Sequence, residues 1–242
     1  MSHGSAWSIV REELGFFKVS CRWVLKMLTE DHKAQHLMAP RAGLRHFRQH
    51  GDAFLSRIVT TDETWVYRYE PESKRQSMQW KHVTSPSKRK FKSERAVGKV
   101  ILAVFWDMKG PVTISFLPKG SPVNAENYCE LLEAVRRDIR SQRRGLLTTR
   151  VILLQDNARP HTAAQTLAKI DHMGWKLLTH PPHSPDFAPD YYLFGPLTKH
   201  MRGNHFKTDE EVMQASRKWL LSQSREFYAT GIQKLSERWK IC

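Results

Sequence analysis

Two β-branched, apolar segments of this chain are each followed by an aspartate. Residues 58–61 precede Asp62, and residues 151–155 precede Asp156. Short apolar runs of this composition are typical of buried strands. A carboxylate beside a buried strand is costly unless it is paired or bound to a cation. The two segments therefore predict neighbouring strands that carry a charged site.

A third aspartate, Asp190, lies in the segment HSPDFAPDYY at residues 183–192. Phosphoryl-transfer sites with two metal ions need carboxylates from separate elements that converge on hard cations about 3.5–4 Å apart. We therefore predict that Asp62, Asp156 and Asp190 bind two Mg²⁺ or Mn²⁺ ions. The alternative is that Asp62 and Asp156 are ordinary strand-end or turn residues, where aspartate is common.

The residues next to these aspartates bear on the same question. Asp156 is followed by NARPHTA at residues 157–163, which brings polar, cationic and helix-starting groups directly after the strand. This turn favours a functional site. Glu63, next to Asp62, is expected on the opposite face of its strand because strand neighbours alternate. We predict an exposed surface glutamate there, with an extra metal ligand or local base as the alternative.

The charge of the chain predicts a polyanionic partner. The 242 residues include 39 Lys and Arg against 24 Asp and Glu, a formal net charge of +15. Nucleic acid is the leading candidate, since neutralised phosphates release counterions and raise affinity. A basic loop is predicted at residues 81–95, with a solvated loop as the alternative. The predicted DNA-contacting residues are Lys88, Arg89, Lys90, Lys92, Arg159 and His161.

Several classes of protein are disfavoured. Three distant cysteines without a Cys-x-x-Cys pair argue against a disulfide framework or a cysteine zinc site, and favour a reducing compartment. The histidine pair His32 and His36 lacks further ligands, so we expect a solvated helix face. No apolar stretch approaches the length of a membrane span, and no Walker or Gly-x-Ser-x-Gly motif occurs. A soluble intracellular protein is expected.

The order of the predicted elements indicates an α/β fold. Residues 1–50 show helical spacing, and we assign them to a helical segment before a domain at 51–242. Strands are then predicted at 58–61, 65–69, 97–106, 112–117, 150–155 and 175–178. Helices are predicted from 124 to Gly145, at 162–173, from about Pro189, at 209–221 and at 225–239. This order predicts a mixed sheet flanked by helices.

Five ordered strings carry a resemblance to a known family. They are TDETWV at 61–66, ESKRQSMQW at 72–80, GKVILAVFWD at 98–107, LQDNARPHTA at 154–163 and HSPDFAPDY at 183–191. With these strings the chain resembles the mariner-family transposases from about residue 4 to residue 240. The resemblance implies an RNase H-like catalytic domain in which Asp62, Asp156 and Asp190 bind two Mg²⁺ or Mn²⁺ ions.

The same resemblance implies an activity and partners. The implied activity is cut-and-paste transposition, in which DNA is cleaved at terminal inverted repeats and the cut strand is transferred to target DNA. The implied partners are these DNAs and a second copy of the chain, and the implied compartment is the nucleus. Most of the family's amino-terminal helix-turn-helix module has no counterpart here, so we expect an amino-terminally truncated catalytic region. The spacing between Asp156 and Asp190 is one residue shorter than in the family. The alternatives are a host-adopted or impaired remnant that binds DNA or dimerises, and a plain RNase H-type nuclease.

Overall fold

The chain is described by a computed structural model that covers most of its residues. The described residues are 2–16, 29–73, 76, 78, 84, 98–117, 124–182, 184 and 187–240, without the side chain of Asp190. Residues 17–28 of the predicted helical segment and nearly all of the predicted basic loop lie outside these residues. The same holds for four of the predicted DNA-contacting residues: Lys88, Arg89, Lys90 and Lys92.

Five strands form one mixed sheet in the order β3-β2-β1-β4-β5. Their bounds are Ile58–Tyr67 (β1), Lys99–Asp107 (β2), Gly110–Leu117 (β3), Ile152–Leu154 (β4) and Lys176–Leu178 (β5). The first three strands form an antiparallel meander, and β4 and β5 extend the sheet in parallel with β1. The mixed α/β sheet predicted from the element order is confirmed.

The first strand differs from its prediction. Two separate strands were predicted at 58–61 and 65–69, but β1 is continuous, so Asp62 lies within a strand rather than after one. The reason is its neighbour, because β2 pairs with β1 from Thr60 to Tyr67 and Asp62 stands opposite Val104. Backbone pairing on this side keeps the polar residues of β1 in an extended conformation.

Helices surround the sheet and precede it. Their bounds are His3–Ser8 (α1, continued by a π-helical turn at Ile9–Glu13), Glu30–His50 (α2), Asp52–Leu55 (α3), Ala125–Gln142 (α4), Arg159–Thr162 (α5), Ala164–His172 (α6), Asp190–Met201 (α7), Asp209–Ser222 (α8) and Arg225–Arg238 (α9). The Asn124 side chain accepts a hydrogen bond from the Asn127 amide, as predicted for an N-cap. Thr208 and Ser224 cap α8 and α9 in the same way.

The alternation of side chains along the strands divides the core into two layers. On one face, Ile58, Leu154 and Trp106 are buried together with apolar residues of α7, α8 and α9. On the other face, Val59 and Leu153 are buried with apolar residues of α4 and α6. Residues at even positions of β1 and β4 therefore face the α7–α9 layer.

The long helix α2 packs on the first of these layers. A Cβ added to Gly43 would lie 2.8 Å from Trp239 Cε2, so the absence of a side chain allows the two residues to touch. Leu44 and Phe47 pack against the same buried cluster. The domain boundary between residues 50 and 51 stays a prediction. No helix among the described residues has both the length and the apolar character needed to cross a bilayer.

Candidate active site

Asp62 and Asp156 lie side by side because of the register between β1 and β4. The two strands are parallel, and Thr60 stands opposite Leu154. Asp62 lies two residues after Thr60, and Asp156 lies two residues after Leu154. The two aspartates are therefore level with each other along the strand direction. Side chains two residues apart share a face of a sheet. Asp62 lies in β1, Asp156 follows the end of β4, and both line a cavity whose wall includes residues of α7.

A cavity of about 1000 Å³ opens over these two aspartates. Its wall includes residues from β1, from the turn after β4, from the segment before α7, and from α7 itself. They are Asp62, Glu63, Thr64, Asp156, Asn157, Ala158, His180, Pro182, Ser184, Ala188, Tyr191, Phe194, Gly195, Thr198 and Arg202. The carboxylates thus stand in an open cleft between the sheet and α7.

Asp62 is a partly buried carboxylate with little compensation from the protein. Burial raises its pKa to about 6, and the nearby charges of Glu63 and Asp156 act in the same direction. Two influences oppose them: a hydrogen bond from the Glu63 amide to Asp62 Oδ1 at 2.7 Å and the nearby charge of His161. A cation in the cleft would relieve both the burial and the repulsion between the carboxylates.

Asp156 is held by the turn that follows it. Its Oδ1 atom accepts a hydrogen bond from the Ala158 amide at 2.9 Å and lies 2.5 Å from His161 Nδ1. Burial opposes ionisation of Asp156, but the hydrogen bonds from His161 and Ala158 outweigh it and lower the pKa of this carboxyl. Asp156 therefore remains ionised at neutral pH.

His161 contacts two acidic residues that line the cleft, Asp156 and Glu63. Its ring is 1% exposed and contacts the Tyr128 ring at a centroid distance of 4.2 Å. Its Nε2 atom lies 3.4 Å from Glu63 Oε1, opposite the atom that contacts Asp156. Burial lowers the pKa of the imidazole, but Asp156 and Glu63 together raise it to about 9. Sequence analysis placed His161 on the DNA-contacting surface, whereas its partners here are the two carboxylates.

Glu63 also differs from its prediction. Alternation does send it to the face opposite Asp62, as expected, but its side chain is only 17% exposed. His161 covers it, and this contact could not be read from the strand pattern alone. Arg159, by contrast, is exposed at the start of α5, as a residue that contacts DNA must be.

A second pair of residues fixes the position of α5. The Tyr128 hydroxyl donates to Gln155 Oε1 at 2.7 Å, and Gln155 Nε2 donates to the His161 carbonyl at 3.1 Å. Both side chains are buried, so the bonds are shielded from water. Sequence reasoning did not identify either residue as part of the site. A buried polar residue next to Asp156 was the available signal for Gln155.

The backbone of Asp190 lies next to the cleft. Helix α7 begins at Asp190, and Ala188 and Tyr191 on either side of it line the same cavity as Asp62 and Asp156. Among the described residues, which exclude the Asp190 side chain, no group of three or more His, Cys, Asp or Glu residues forms a metal site. Two of the three predicted ligands are therefore brought together by described side chains.

Residues 70–149 match a transposase family described as a partial DDE domain. Two proteins are similar over most of this chain. Histone-lysine N-methyltransferase SETMAR of Homo sapiens is 33% identical over 233 residues, which are 96% of this chain and 33% of that protein. Mariner Mos1 transposase of Drosophila mauritiana is 31% identical over 233 residues, 95% of this chain and 66% of that protein. The chain thus spans less than two thirds of both relatives.

A solved structure extends the similarity to three dimensions. The Mos1 mariner paired end complex with Mn matches with a TM-score of 0.81 at 31% identity, over 98% of this chain and 68% of that one. The corresponding complex with Mg matches with a TM-score of 0.82. The mixed sheet, with acidic residues on adjacent parallel strands, defines an RNase H-like α/β domain of the DDE type. This chain belongs to the mariner family of transposases.

Proposed function

We propose that this chain is a transposase catalytic region that cleaves DNA at terminal inverted repeats and transfers the cut strand to target DNA. Asp62, Asp156 and Asp190 would hold two Mg²⁺ or Mn²⁺ ions. The observation that carries the proposal is the parallel register of β1 and β4, which sets two carboxylates level on one face of an open cleft. The start of α7 at Asp190 beside the same cleft supports the third ligand.

The two described carboxylates fit divalent cations that prefer oxygen ligands. The hydrogen bonds of Asp62 and Asp156 go to Oδ1 in both residues, and the described residues give no partner to either Oδ2 atom. The raised pKa of Asp62 reflects a carboxylate that the protein alone leaves poorly compensated. When bound, such ions supply Lewis-acid polarisation of a phosphate and activation of the attacking oxygen.

The remaining residues of the site would act by positioning. His161 fixes the Oδ1 atom of Asp156 and leaves the other oxygen directed elsewhere, so the carboxylate keeps one orientation. Arg159 stands exposed at the start of α5, where it can contact a phosphate. Lys88, Arg89, Lys90 and Lys92 remain predicted DNA contacts. The net charge of +15 favours binding of the DNA backbone throughout.

We further infer that the chain acts on DNA as a homodimer in the nucleus. The structurally similar Mos1 complex is named for paired ends, and this supports two chains that act on two DNA ends. The DNA partners would be the terminal inverted repeats and the target DNA.

Cleavage can be tested without knowledge of the repeat sequence. Supercoiled plasmid DNA is incubated with the protein and Mn²⁺, and nicked and linear products are quantified on gels. We expect nicking that Asp156→Ala abolishes and that Asp171→Ala preserves. Asp171 is an exposed aspartate of α6, so it controls for the loss of a carboxylate as such. Equal nicking by the Asp156→Ala protein would refute the assignment.

Duplex oligonucleotides with candidate inverted repeats then separate the remaining possibilities. Joining of a pre-cut 3′ end to a second DNA supports the transposase and excludes a plain nuclease. Binding of DNA without metal, and without any cleavage, would instead support the remnant that only binds DNA or dimerises.

A further inference from the structure

We propose that His36 of α2 is a positioning residue for the reaction, because it holds the backbone segment that leads into Asp190. The proposal rests on the function proposed above. His36 and this segment are almost 150 residues apart in sequence, and their contact joins the amino-terminal helix to the wall of the cleft.

The contact is a small hydrogen-bond network. His36 Nε2 lies 2.6 Å from the Pro182 carbonyl oxygen, and the Ser184 hydroxyl lies 3.1 Å from the same nitrogen. A carbonyl oxygen can only accept, so Nε2 must carry the proton. The Ser184 hydroxyl also donates to the Pro182 carbonyl at 3.1 Å, and its residue is 2% exposed. The expectation of a solvated helix face is therefore wrong for His36.

The segment needs such support from side chains. Pro181 and Pro182 have no backbone N–H, so this part of the chain cannot fix itself by donating backbone hydrogen bonds. Its carbonyls are instead held from outside. Asn157 Nδ2 donates to the His180 carbonyl at 2.9 Å, and Arg238 Nη1 donates to the Ala188 carbonyl at 2.6 Å. Among the described residues of the segment, the contact of His36 with Pro182 lies between these two contacts in sequence.

The position of this segment matters for the cleft. Pro182, Ser184 and Ala188 line the cavity that contains Asp62 and Asp156, and α7 begins at Asp190 directly afterwards. A displacement of the segment would shift the first turn of α7 relative to the sheet. Catalytic geometry tolerates little displacement, since errors of about 1 Å can cost roughly 100-fold in rate. His36 would thus act on the reaction through the segment that it holds.

Three variants test the proposal. His36→Ala removes the donor, His36→Gln keeps an N–H near the position of Nε2, and Gln35→Ala alters the neighbouring exposed residue of the same helix. We expect His36→Ala to slow Mn²⁺-dependent nicking about tenfold or more at saturating DNA, with unchanged DNA affinity. His36→Gln should recover most of the rate, and Gln35→Ala should match the wild type.

Amide hydrogen exchange provides a readout that does not depend on activity. The Phe187 amide donates to the Ser184 carbonyl at 3.1 Å, and the Tyr192 amide donates to the Pro189 carbonyl at 3.0 Å. We expect His36→Ala to speed exchange at both amides about five- to tenfold, the effect of one lost hydrogen bond, while amides of β1 and β2 stay protected. His36→Gln should restore slow exchange.

The outcomes separate this proposal from the proposed function. If the wild type does not nick DNA, the proposed function fails, and exchange at Phe187 and Tyr192 still decides the role of His36. Unchanged exchange and unchanged nicking in His36→Ala would overturn the positioning role. Faster exchange throughout β1 and β2 would also overturn it, because the residue would then support the whole fold.

Discussion

His161 Nδ1 lies 2.5 Å from Asp156 Oδ1, and the opposite ring nitrogen faces Glu63 Oε1 at 3.4 Å. One buried imidazole thus contacts the carboxylates of two residues that line the cleft, Asp156 and Glu63. Mutation of a residue that orients a metal-binding side chain typically lowers metal affinity or activity by about 10- to 100-fold.

Loss of His161 should therefore weaken metal binding more than DNA binding. We expect His161→Ala to raise the apparent Kd for Mn²⁺ and to lower the nicking rate by about 10- to 100-fold. Mn²⁺ binding can be followed by calorimetry, and DNA binding by fluorescence anisotropy. His172→Ala, which alters an exposed histidine of α6, should leave both unchanged. An unaltered Mn²⁺ affinity in His161→Ala would contradict the orienting role.

The pH dependence of stability should report the charge on His161. Its pKa is raised from 6.5 to about 9 in the folded protein. Its contribution to stability is therefore fully present below about pH 6.5 and is lost as the pH rises through 9. We expect the wild type to lose on the order of 2 kcal/mol of unfolding free energy between pH 6.5 and 9.5 from this group. Urea denaturation at both pH values measures it.

His161→Gln supplies the comparison for that measurement. The variant cannot titrate at this position, so its stability should change less than that of the wild type across the same pH range. Parallel pH curves for the two proteins would show that His161 is not charged in the fold.

Asp62 should lower the stability of the metal-free protein. Its pKa is raised from 3.8 to about 6, so stability is highest below pH 3.8 for this group and falls as the pH rises through 6. Above pH 7 the cost of the ionised carboxylate is complete. We expect Asp62→Asn to raise the free energy of unfolding at pH 8 by about 1–2 kcal/mol without metal. Denaturation with a chelator measures this difference.

Added Mn²⁺ should make the wild type more stable to unfolding than Asp62→Asn. The wild type gains stability from a ligand that binds only the folded state, whereas Asp62→Asn should gain little. An Asp62→Asn protein that is less stable than the wild type without metal would mean that the carboxylate has a structural partner.

The close approach of α2 and α9 predicts the effect of a single methyl group. A Cβ on Gly43 would lie 2.8 Å from Trp239 Cε2 and 3.0 Å from two further ring atoms. We expect Gly43→Ala to cost about 1–3 kcal/mol, because overpacking displaces the ring or the helix. Gly4→Ala in α1 is the control, since its added Cβ would lie 3.7 Å from Ser2 Oγ, an ordinary van der Waals distance. That variant should gain up to about 1 kcal/mol from helix propensity.

Much of this architecture follows from local sequence patterns. The apolar segments before Asp62 and Asp156 were sufficient to predict two strands with adjacent acidic residues, and the N-cap at Asn124 was predicted by its residue type. Pairing across the sheet could not be predicted in this way. The continuity of β1 depends on β2, which is distant in sequence, and so does the position of Asp62 within the strand.

The missed parts of the site share a physical cause. His161 was predicted to contact DNA at the surface, and Glu63 was predicted to be exposed because neighbouring residues of a strand alternate between its faces. The contacts of His161 with Asp156 and Glu63 offset part of the cost of burying these side chains. His36 was also predicted to be solvated, but it contacts Pro182 and Ser184, which are almost 150 residues away in the sequence. Long-range pairs of this kind leave no periodic signal in the sequence.

The packing of α2 has a practical consequence for recombinant work on this protein. A shortened version that started at residue 51 would lack Gly43, Leu44 and Phe47, and the indole of Trp239 and the ring of Phe54 would face water. Exposed aromatic surface of this kind promotes self-association. Soluble preparations that contain the five-stranded sheet should therefore retain the whole of α2 together with its capping Thr29.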